Sequence, residues 1–228
     1  MVSVGNHEKF DNFTSFRHRF FVPPSLTQLS PRQQFFYYSY NVGRLHVISM
    51  CTEQYVYDYS PGSAQYQWLV NDLQTINRTE TPCVLIIGHR PMYSSDLGTD
   101  SGPLQLYIEP LLHQYRVDLA IWGHMHCYER TYPVYNNTVA IDTTDPSSFR
   151  YYQQPNATVH FTIGTAGAVI DEQFQEPPPS WSAFRNGTLL ESPYGFGVLK
   201  IYNDTHLYLE FRTIEGHGNV MDYVWIVK

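Results

Sequence analysis

The fold of this chain is decided by one stretch, Cys-Val-Leu-Ile-Ile-Gly-His-Arg-Pro at residues 83–91. Its opening run is apolar and rich in β-branched residues, which predicts a buried strand, and the glycine marks where that strand gives way to a loop. A second run, Val-Asp-Leu-Ala-Ile-Trp at 117–122, leads in the same way into Gly-His-Met-His at 123–126. A shorter run, Val-Ser-Val at 2–4, leads into Gly-Asn-His-Glu at 5–8. The sequence therefore predicts strands that each end in a polar loop.

Segments with helical spacing separate these strands. Apolar residues recur at helical intervals from Ser63, itself a suitable N-cap, to Ile76. A second helix is predicted from about Pro103 to Tyr115, because proline is well tolerated in a first helical turn. With a further strand predicted at 44–50, the pattern gives strand–helix–strand units, which are typical of a layered α/β protein.

The pattern changes after about residue 131, where the helical spacing stops. Short strands are predicted at 159–163, 198–202, 207–212 and 223–227, joined by glycine and proline turns. Residues 9–41 have no period and predict a long loop over the site. We therefore expect the α/β class, in a layered α+β arrangement: a β-sandwich flanked by helices that ends in antiparallel strands. Residues 1–228 would form one domain, and about 131–228 its C-terminal antiparallel section.

Side chains that can donate electron pairs to a metal follow the three strand ends: Asn6, His89, His124 and His126. Loops at the carboxyl ends of strands are where α/β sheets build their sites, so we expect these side chains to meet. Imidazoles combined with an oxygen ligand suit Zn²⁺, Fe or Mn better than Ca²⁺ or Mg²⁺. A glycine precedes each motif, which fits unusual backbone angles or a close approach. The sequence predicts a metal centre, with phosphate chemistry as its expected use.

Taken together, these motifs resemble those of the purple acid phosphatases, which belong to the calcineurin-like metallophosphoesterases. The resemblance runs through Val-Ser-Val-Gly-Asn-His-Glu at 2–8, Gly-His-Arg-Pro-Met-Tyr at 88–93 and Gly-His-Met-His-Cys-Tyr-Glu-Arg at 123–130. It continues into residues 194–207, which look like that family's closing strands. Because it covers nearly the whole chain, it implies the metallophosphoesterase form of the sandwich.

The resemblance also implies a dinuclear metal centre. Asn6, His89 and His124 would bind a divalent ion, and His126 would bind Fe(III). The divalent ion would be Zn(II), Mn(II) or Fe(II). The implied activity is that of an acid phosphatase, in which a metal-activated hydroxide hydrolyses a small phosphate monoester.

Further side chains near the motifs are candidate contacts to a substrate. By the resemblance, His7 would face the phosphate or the leaving oxygen and act as the catalytic acid; the alternative is a hydrogen-bond donor to a metal ligand. Arg90 is a candidate for phosphate binding, or else an exposed loop residue. Glu8 is expected to orient ligands rather than to react. Tyr93, Tyr128, Glu129 and Arg130 could border the site, but packing and an internal ion pair are the favoured interpretation.

The sequence departs from the family pattern at one place. Gly-Asp-x-Gly and Gly-Asp-x-x-Tyr, which supply Asp and Tyr ligands upstream of the Asn-His-Glu motif in the family, occur nowhere in the chain. We therefore expect an amino-terminally incomplete catalytic domain, in which His126 alone is left for the ferric ion. Two alternatives stay open: a metallophosphodiesterase of the same superfamily, and a catalytically impaired secreted glycoprotein fragment that retains partial metal binding. The Cys-Tyr-Glu-Arg continuation favours the phosphatase over the phosphodiesterase.

Composition sets the expected partners. Of 228 residues, 43% are hydrophobic and 15% are charged, as in globular proteins. The net charge of −7 argues against a nucleic-acid partner, which would require a basic surface. No segment reaches the apolar length of a membrane span. The expected partner is a small phosphate ester, and the sequence indicates no oligomeric state.

Glycosylation sequons and cysteines bear on the compartment. Asn-x-Ser/Thr sequons begin at Asn12, Asn77, Asn136, Asn156, Asn186 and Asn203, and none has proline in the middle. Their density predicts a glycoprotein of the secretory pathway, either secreted or lysosomal/vacuolar. The three cysteines lack the spacing of a disulfide framework. Cys127 is a disfavoured metal ligand, because the two neighbouring histidines already meet the geometric need.

Overall fold

A computed structural model of the chain describes residues 2–20, 36–53, 58–98, 101–170, 173–186, 194–215 and 218–228. Within these ranges the chain forms two β-sheets that share a hydrophobic core, and helices cover the other face of the larger sheet. This architecture confirms the layered α/β sandwich predicted from the sequence.

The larger sheet has seven strands in the order β1-β2-β3-β4-β9-β5-β10. Their bounds are β1 Tyr38–Val42, β2 Leu45–Ser49, β3 Cys83–Ile87, β4 Leu119–Trp122, β5 Tyr128–Thr131, β9 Val159–Ile163 and β10 Ser182–Asn186. Strands β2, β3, β4 and β9 are parallel to one another, with antiparallel neighbours β1 beside β2 and β5 beside β9. The carboxyl ends of the parallel strands therefore lie along one edge of the sheet.

Helices pack on one face of this sheet. They are α2 Ala64–Thr75, α3 Gly102–Tyr107 and α4 Glu109–Gln114. Helix α1 Thr14–Arg19 lies in a separate cluster, where Phe16 packs with Val4 and Phe36. Helix α2 begins as predicted, because the Ser63 side chain accepts a hydrogen bond from Tyr66 N (3.2 Å). The second predicted helix is divided in two around Ile108, since Pro110 in the first turn of α4 has no backbone N–H to donate. None of the described helices is both long and apolar enough to span a membrane.

The second sheet covers the opposite face of the larger one. It has the order β11-β12-β13-β8, and its strands are β8 Tyr151–Gln153, β11 Gly195–Ile201, β12 His206–Thr213 and β13 Val220–Val227. A short hairpin of β6 Val134–Tyr135 and β7 Thr138–Val139 stands apart. Alternate residues of β3 face opposite ways: Leu85 packs into the core shared with Leu209 and Val224, while Val84 and Ile86 face the helices.

Two predictions from the sequence pattern are corrected, and one segment lies in a strand that was not predicted. Residues 2–4 form no strand; they lie beside the end of β2, where Ser3 Oγ donates to Met50 O (3.2 Å). The predicted loop at 9–41 contains part of a 3₁₀ helix at Asn6–Phe13, all of α1 and most of β1, and its residues 21–35 lie outside the described part of the chain. The Tyr-Glu-Arg segment at 128–130 lies in strand β5, because it pairs with β9 and β10.

Candidate metal centre

Strands β3 and β4 end side by side, and a histidine motif follows each one. Gly88 N donates to Ile121 O (3.1 Å) and Gly123 N donates to His89 O (2.9 Å), so the loops stay hydrogen-bonded as they leave the sheet. His124 has a φ of 69°, a left-handed conformation that is uncommon for a residue with a side chain. The result is an edge contact between the rings of His89 and His124, whose centroids are 4.9 Å apart.

Three of the predicted donor atoms converge at this edge. His89 Nε2 lies 2.7 Å from Asn6 Oδ1 and 3.1 Å from His124 Nδ1. Ligand atoms that are each about 2.0–2.2 Å from one ion stand roughly 3–3.5 Å apart in tetrahedral or octahedral geometry. The two observed separations are close to that spacing. Asn6, His89 and His124 are therefore brought together as the ligands of one ion would be.

The tautomer of His124 decides which of its ring nitrogens could bind an ion. Arg90 Nη1 lies 3.0 Å from His124 Nε2, and a guanidinium can only donate, so in the metal-free protein Nε2 accepts and the proton of the neutral ring is on Nδ1. His124 Nδ1 lies 3.1 Å from His89 Nε2, which also faces Asn6 Oδ1 at 2.7 Å. A cation bound at His124 Nδ1 would require the ring proton on Nε2 instead, because a neutral imidazole has only one lone pair for ligation.

The electrostatic environment keeps both rings neutral. Burial, together with the positive charge of Arg90, lowers the pKa of His89 to about 4. Burial likewise lowers the pKa of His124 to about 4; Arg90 acts in the same direction, and the nearby carboxylate of Glu53 opposes it. A metal ligand must be a neutral imidazole, so both rings stay competent for ligation in mildly acidic solution.

An open cleft of about 530 Å³ lies over these atoms, lined by Asn6, His7, His89, Gly123, His124, Met125, His126, Gly164, Ala166 and Ala168. His126 Nδ1 donates to Val169 O (2.6 Å), which leaves Nε2 as the metal-facing nitrogen, an arrangement common among ligating histidines. His7 is exposed on the wall of the cleft. The structure therefore places His7 and His126 in the same cleft as the three converging donors.

The glycine before the Asn-His-Glu motif allows a close approach. A Cβ at Gly5 would lie 2.8 Å from His89 Nδ1 and 3.0 Å from Glu8 Oε2. Glu8 Oε2 also accepts a hydrogen bond from Gly5 N (2.8 Å), so Glu8 holds this loop, in keeping with its predicted orienting role. Gly123 is required neither by a close approach nor by an unusual backbone angle. The nearest atom to a Cβ at Gly123 would be 3.8 Å away, and the residue with the left-handed φ is His124.

Sequence reasoning missed two residues that hold the His89 loop. Thr52 Oγ1 accepts from His89 N (3.1 Å) and from Arg90 N (2.7 Å), and a Cβ on Gly88 would lie 2.7 Å from Thr52 Cγ2. Glu53 Oε2 accepts from Arg90 Nε (3.0 Å). Both residues follow β2, the parallel neighbour of β3, so their place at a carboxyl strand end could have indicated them. Because Arg90 faces Glu53 and His124, its contact with phosphate stays a prediction.

The residues after the second histidine motif hold the two sheets together. Arg130 Nε and Nη2 donate to the two carboxylate oxygens of Asp222 (2.7 and 3.0 Å), and Tyr128 OH donates to the same carboxylate (2.8 Å). Glu129 accepts from Ser95 N (2.7 Å) and lies away from the cleft lining. Packing and an internal ion pair, the interpretation favoured from the sequence for Tyr128, Glu129 and Arg130, are confirmed.

Among the described residues, the predicted ligands Asn6, His89 and His124 fit one ion, and His126 is the predicted ligand left for a second ion. In the ranges that the structure describes, no three His, Cys, Asp or Glu side chains are grouped as a metal site, and the converging set is two imidazoles and an amide. Among the described residues that line the cleft, none carries a carboxylate or a phenolate. All three cysteines are buried and outside any disulfide, and Cys127 is absent from that lining. The chain therefore suits a divalent ion at Asn6, His89 and His124.

Comparison with known proteins adds the family context. Residues 1–128 match the family model described as calcineurin-like phosphoesterase. Residues 157–223 match the model described as iron/zinc purple acid phosphatase-like protein C. The two matches divide the chain near the point where the sequence pattern changes from layered α/β to antiparallel strands.

Individual proteins match along the full chain. Acid phosphatase type 7 of Danio rerio is 38% identical over 252 residues, which cover 100% of this chain and 53% of that protein. Fe(3+)-Zn(2+) purple acid phosphatase 12 of Arabidopsis thaliana is 31% identical over 99% of this chain and 48% of its own length. The solved structure of purple acid phosphatase PPD1 from yellow lupin (Lupinus luteus) seeds matches with a TM-score of 0.81 and 28% identity, over 100% of this chain and 40% of that one. The chain spans about half the length of the curated relatives it matches.

Proposed function

The chain belongs to the calcineurin-like phosphoesterase family, in its purple acid phosphatase branch, and on that premise we propose that it carries part of the active site of a metal-dependent acid phosphatase. The substrate class is phosphate monoesters. The names of the relatives support a monoesterase over the phosphodiesterase alternative, since each is called an acid phosphatase.

One observation carries this proposal: the convergence of Asn6 Oδ1, His89 Nε2 and His124 Nδ1 within hydrogen-bond distance. Two of these atoms, Asn6 Oδ1 and His89 Nε2, lie 2.7 Å apart, and an amide oxygen with an imidazole nitrogen is a donor pair that suits a divalent ion. We assign them to a divalent ion, Zn(II), Mn(II) or Fe(II). We assign His126 to Fe(III), as the iron and zinc in the relatives' names suggest.

Ions bound here would supply positive charge that polarises the phosphoryl group and acidifies bound water. The chain's own residues would donate the proton and attract the phosphate. His7, exposed on the cleft wall, would donate a proton to the leaving oxygen of the ester. Arg90 would contribute positive charge at the back of the cleft, 3.0 Å from His124 Nε2, where it could also attract phosphate.

A second candidate function rests on the missing motifs. The sequence contains neither Gly-Asp-x-Gly nor Gly-Asp-x-x-Tyr, so the carboxylate that would bridge two ions has no counterpart among the residues of this chain. A secreted glycoprotein that binds one divalent ion without turnover would account for the same cleft. Metal binding and phosphate ester hydrolysis must therefore be measured separately.

We also propose glycosylation and passage through the secretory pathway. The sequon residues Asn12, Asn77, Asn136, Asn156 and Asn203 are exposed, so a glycan on any of them would project into solvent. Asn186 differs, because it lies in β10 opposite Tyr128 and its Oδ1 is buried. After expression in secretory cells, Asn203→Gln should increase mobility on a denaturing gel and Asn186→Gln should not. Equal shifts for both variants would remove this distinction.

The first experiment measures metal binding by the chain of residues 1–228. Titration calorimetry with Zn²⁺ should show weak binding to one site, which Asn6→Ala removes. Asn156→Ala, an exposed asparagine outside the cleft, is the matched control. We expect little iron uptake and no visible absorption band, because the tyrosine ligand of the family is missing. A tightly bound, coloured iron centre would show that other residues replace it.

The second experiment measures catalysis. The isolated chain should hydrolyse p-nitrophenyl phosphate poorly, and joining the Danio rerio relative's preceding segment in front of residue 2 should restore activity. In that hybrid, His7→Ala should slow turnover by about 10²–10⁴-fold with metal retained, as for loss of a general acid. If His7→Ala removes the metal, His7 is a ligand instead. If the hybrid is inactive, the metal-binding glycoprotein becomes the better description.

A further inference from the structure

The outer face of the second sheet carries an aromatic cluster, formed by Tyr202, Tyr208 and Trp225. Alternation along β12 and β13 turns Tyr208 and Trp225 away from the core that the two sheets share, and the two residues pair directly across the strands. Their ring centroids are 4.9 Å apart, and the ring of Tyr202, which follows β11, lies 5.0 Å from that of Trp225. Lys200 Nζ lies 5.3 Å from the centre of the Tyr208 ring and covers part of it. The rings of Tyr202, which is 57% exposed, and Trp225 therefore form the more open part of the cluster.

The residue after Tyr202 is a predicted glycosylation site, and its side chain is held in one conformation. Asn203 Oδ1 accepts from Thr205 N (2.9 Å), from Thr205 Oγ1 (3.0 Å) and from His206 N (2.9 Å). These bonds form a turn closed by the side chain, and they hold the amide oxygen inside it. The amide nitrogen Nδ2, to which an N-glycan is attached, is therefore on the outer side of an exposed turn.

The sequon is flanked by residues whose rings contact Trp225. Tyr202 precedes Asn203, and His206, which follows the sequon, has its ring 6.5 Å from that of Trp225. An N-glycan begins with N-acetylglucosamine, whose ring has C–H groups on its faces and polar groups around its edge. Such a face buries apolar area against an aromatic ring while the hydroxyl groups stay hydrated. The cluster therefore offers this sugar a suitable surface next to its point of attachment.

We propose that the first sugar of a glycan on Asn203 packs against Tyr202 and Trp225, so that the glycan covers the aromatic cluster. The glycan itself rests on the glycosylation proposed above, whereas its packing on the rings is a separate claim. The rival occupant of the cluster is a second copy of the chain. The experiments must separate glycosylation, packing and self-association.

A second sequon provides a matched site without the cluster. Asn77 Oδ1 accepts from Thr79 N (3.1 Å) and from Thr79 Oγ1 (2.7 Å), which is the same turn as at Asn203. Its neighbours in the sequence are Ile76 and Arg78, neither of which is aromatic. A difference between the glycans at the two sites that depends on Tyr202 therefore reports on the cluster and not on the turn.

The first measurement is the rate at which peptide-N-glycosidase removes each glycan from the folded chain, after expression in secretory cells. Mass spectrometry resolves the sites, because removal converts asparagine to aspartate. Removal at Asn203 should be about two- to tenfold slower than at Asn77, as expected for protection by a contact with aromatic rings. Tyr202→Ser should speed removal at Asn203 and leave Asn77 unchanged. Phe196→Ser, which removes a ring that is 51% exposed at the other end of β11, should change neither rate.

Three results would overturn the proposal, and each has a different meaning. If Asn203 carries no glycan, both the packing and the glycosylation proposed at this residue are wrong. If Asn203 carries a glycan but Tyr202→Ser does not change its removal, glycosylation stands and the packing is wrong. If the chain made without glycans forms dimers in sedimentation experiments and Tyr202→Ser abolishes them, a second copy covers the cluster instead.

The second measurement is a double-mutant cycle on the melting temperature of the glycosylated chain, with Tyr202→Ser, Asn203→Gln and the double variant. Each single change should lower the melting temperature by about 2–4 °C, the scale for loss of one such contact in a domain of this size. The double variant should lose less than the sum, because the two changes remove the same contact; additive losses would contradict the proposal. In the chain made in bacteria, without glycans, the two changes should be additive. Coupling there would show that the Asn203 side chain, and not a sugar, is the partner of Tyr202.

Discussion

Two adjacent regions of the molecule treat charge in opposite ways. In the buried arginine network (Tyr128, Arg130, Tyr152 and Asp222), the Asp222 carboxylate faces the guanidinium groups of Arg130 and Arg150, and Arg130 and Asp222 are both fully buried. In the histidine cleft (Asn6, His7, His89, His124 and His126), a guanidinium faces an imidazole, and neutral donor atoms lie together without a carboxylate between them. Only Cys127 separates the last cleft histidine from the first member of the network.

The difference shows how one short segment serves two purposes. The network joins β5 of the larger sheet to β13 of the second sheet, so it fixes the strand from which the cleft loop departs. The cleft instead brings neutral amide and imidazole donors together, and such a set favours binding of a cation. Removal of a network residue should therefore damage the fold, whereas removal of a cleft residue should damage binding. Each prediction below tests that division.

The largest effect is expected in the network. Asp222→Asn would leave Arg130 buried without its full counter-charge, and breaking a buried pair typically costs about 3–5 kcal/mol of unfolding free energy. Urea denaturation measures this loss. The matched control is Asp204→Asn, which breaks the exposed pair with Arg44, where losses of about 0–1 kcal/mol are usual. Similar losses in the two variants would show that the network does not carry the fold.

The opposite pattern is expected in the cleft. His89→Ala removes the nitrogen that contacts both Asn6 and His124, so Zn²⁺ affinity should fall by more than the roughly 10–100-fold caused by loss of an outer partner. The unfolding free energy of the metal-free protein should change far less than in Asp222→Asn. Calorimetry and urea denaturation on the same sample give both values. A loss of fold with Zn²⁺ affinity retained would reverse the comparison.

Acid should weaken the cleft before the network. The pKa of His124 is about 4 in the folded chain and about 6.5 in the unfolded chain. Between these two values the His124 ring is protonated in the unfolded chain but not in the folded chain. Stability is then complete above pH 6.5 and is lost progressively as the pH falls to about 4. His124→Gln should reduce that slope by at most about 1.4 kcal/mol per pH unit, less because part of the ring is in contact with solvent. Urea curves at half-unit pH steps measure the slope, and an unchanged slope would refute the prediction.

The sequence predicted the strands at the site better than it predicted their surroundings. The strand at 83–87 and the capped helix after Ser63 were found as expected, because their apolar spacing is strong and local. Strands β5, β8 and β10 were not predicted, since short strands are defined by their partners in the sheet rather than by their own pattern. The division of the helix at Ile108 follows from Pro110, which lies inside the predicted helix and has no backbone N–H to continue it.

The candidate site shows the same limit. Asn6, His89, His124 and His126 were indicated by motifs at strand ends, and the structure brings them to one cleft. Thr52 and Glu53 belong to no motif, so only their contacts with the His89 loop identified them. Likewise, the positive φ at His124 rather than at Gly123 belongs to a tight turn in which Met125 N donates to Gly123 O (2.8 Å), and spacing along the chain does not encode that turn.

The smallest effect concerns the glycines of the cleft and sharpens the comparison within it. Gly5→Ala would place a Cβ 2.8 Å from His89 Nδ1, so the ring must shift, whereas at Gly123 the nearest atom is 3.8 Å away. A shifted ligand binds metal less well, and we expect about tenfold weaker Zn²⁺ binding for Gly5→Ala, at the low end of the effects of disturbed ligand orientation. Gly123→Ala should bind as the wild type does, and neither variant should approach the stability loss of Asp222→Asn. The cause is specific to His89, because the atoms of His89 and the flexible end of Glu8 are what a Cβ at Gly5 would meet. Equal losses of Zn²⁺ affinity in Gly5→Ala and Gly123→Ala would mean that Zn²⁺ binding depends on the backbone conformation of the glycines rather than on the orientation of the His89 ring.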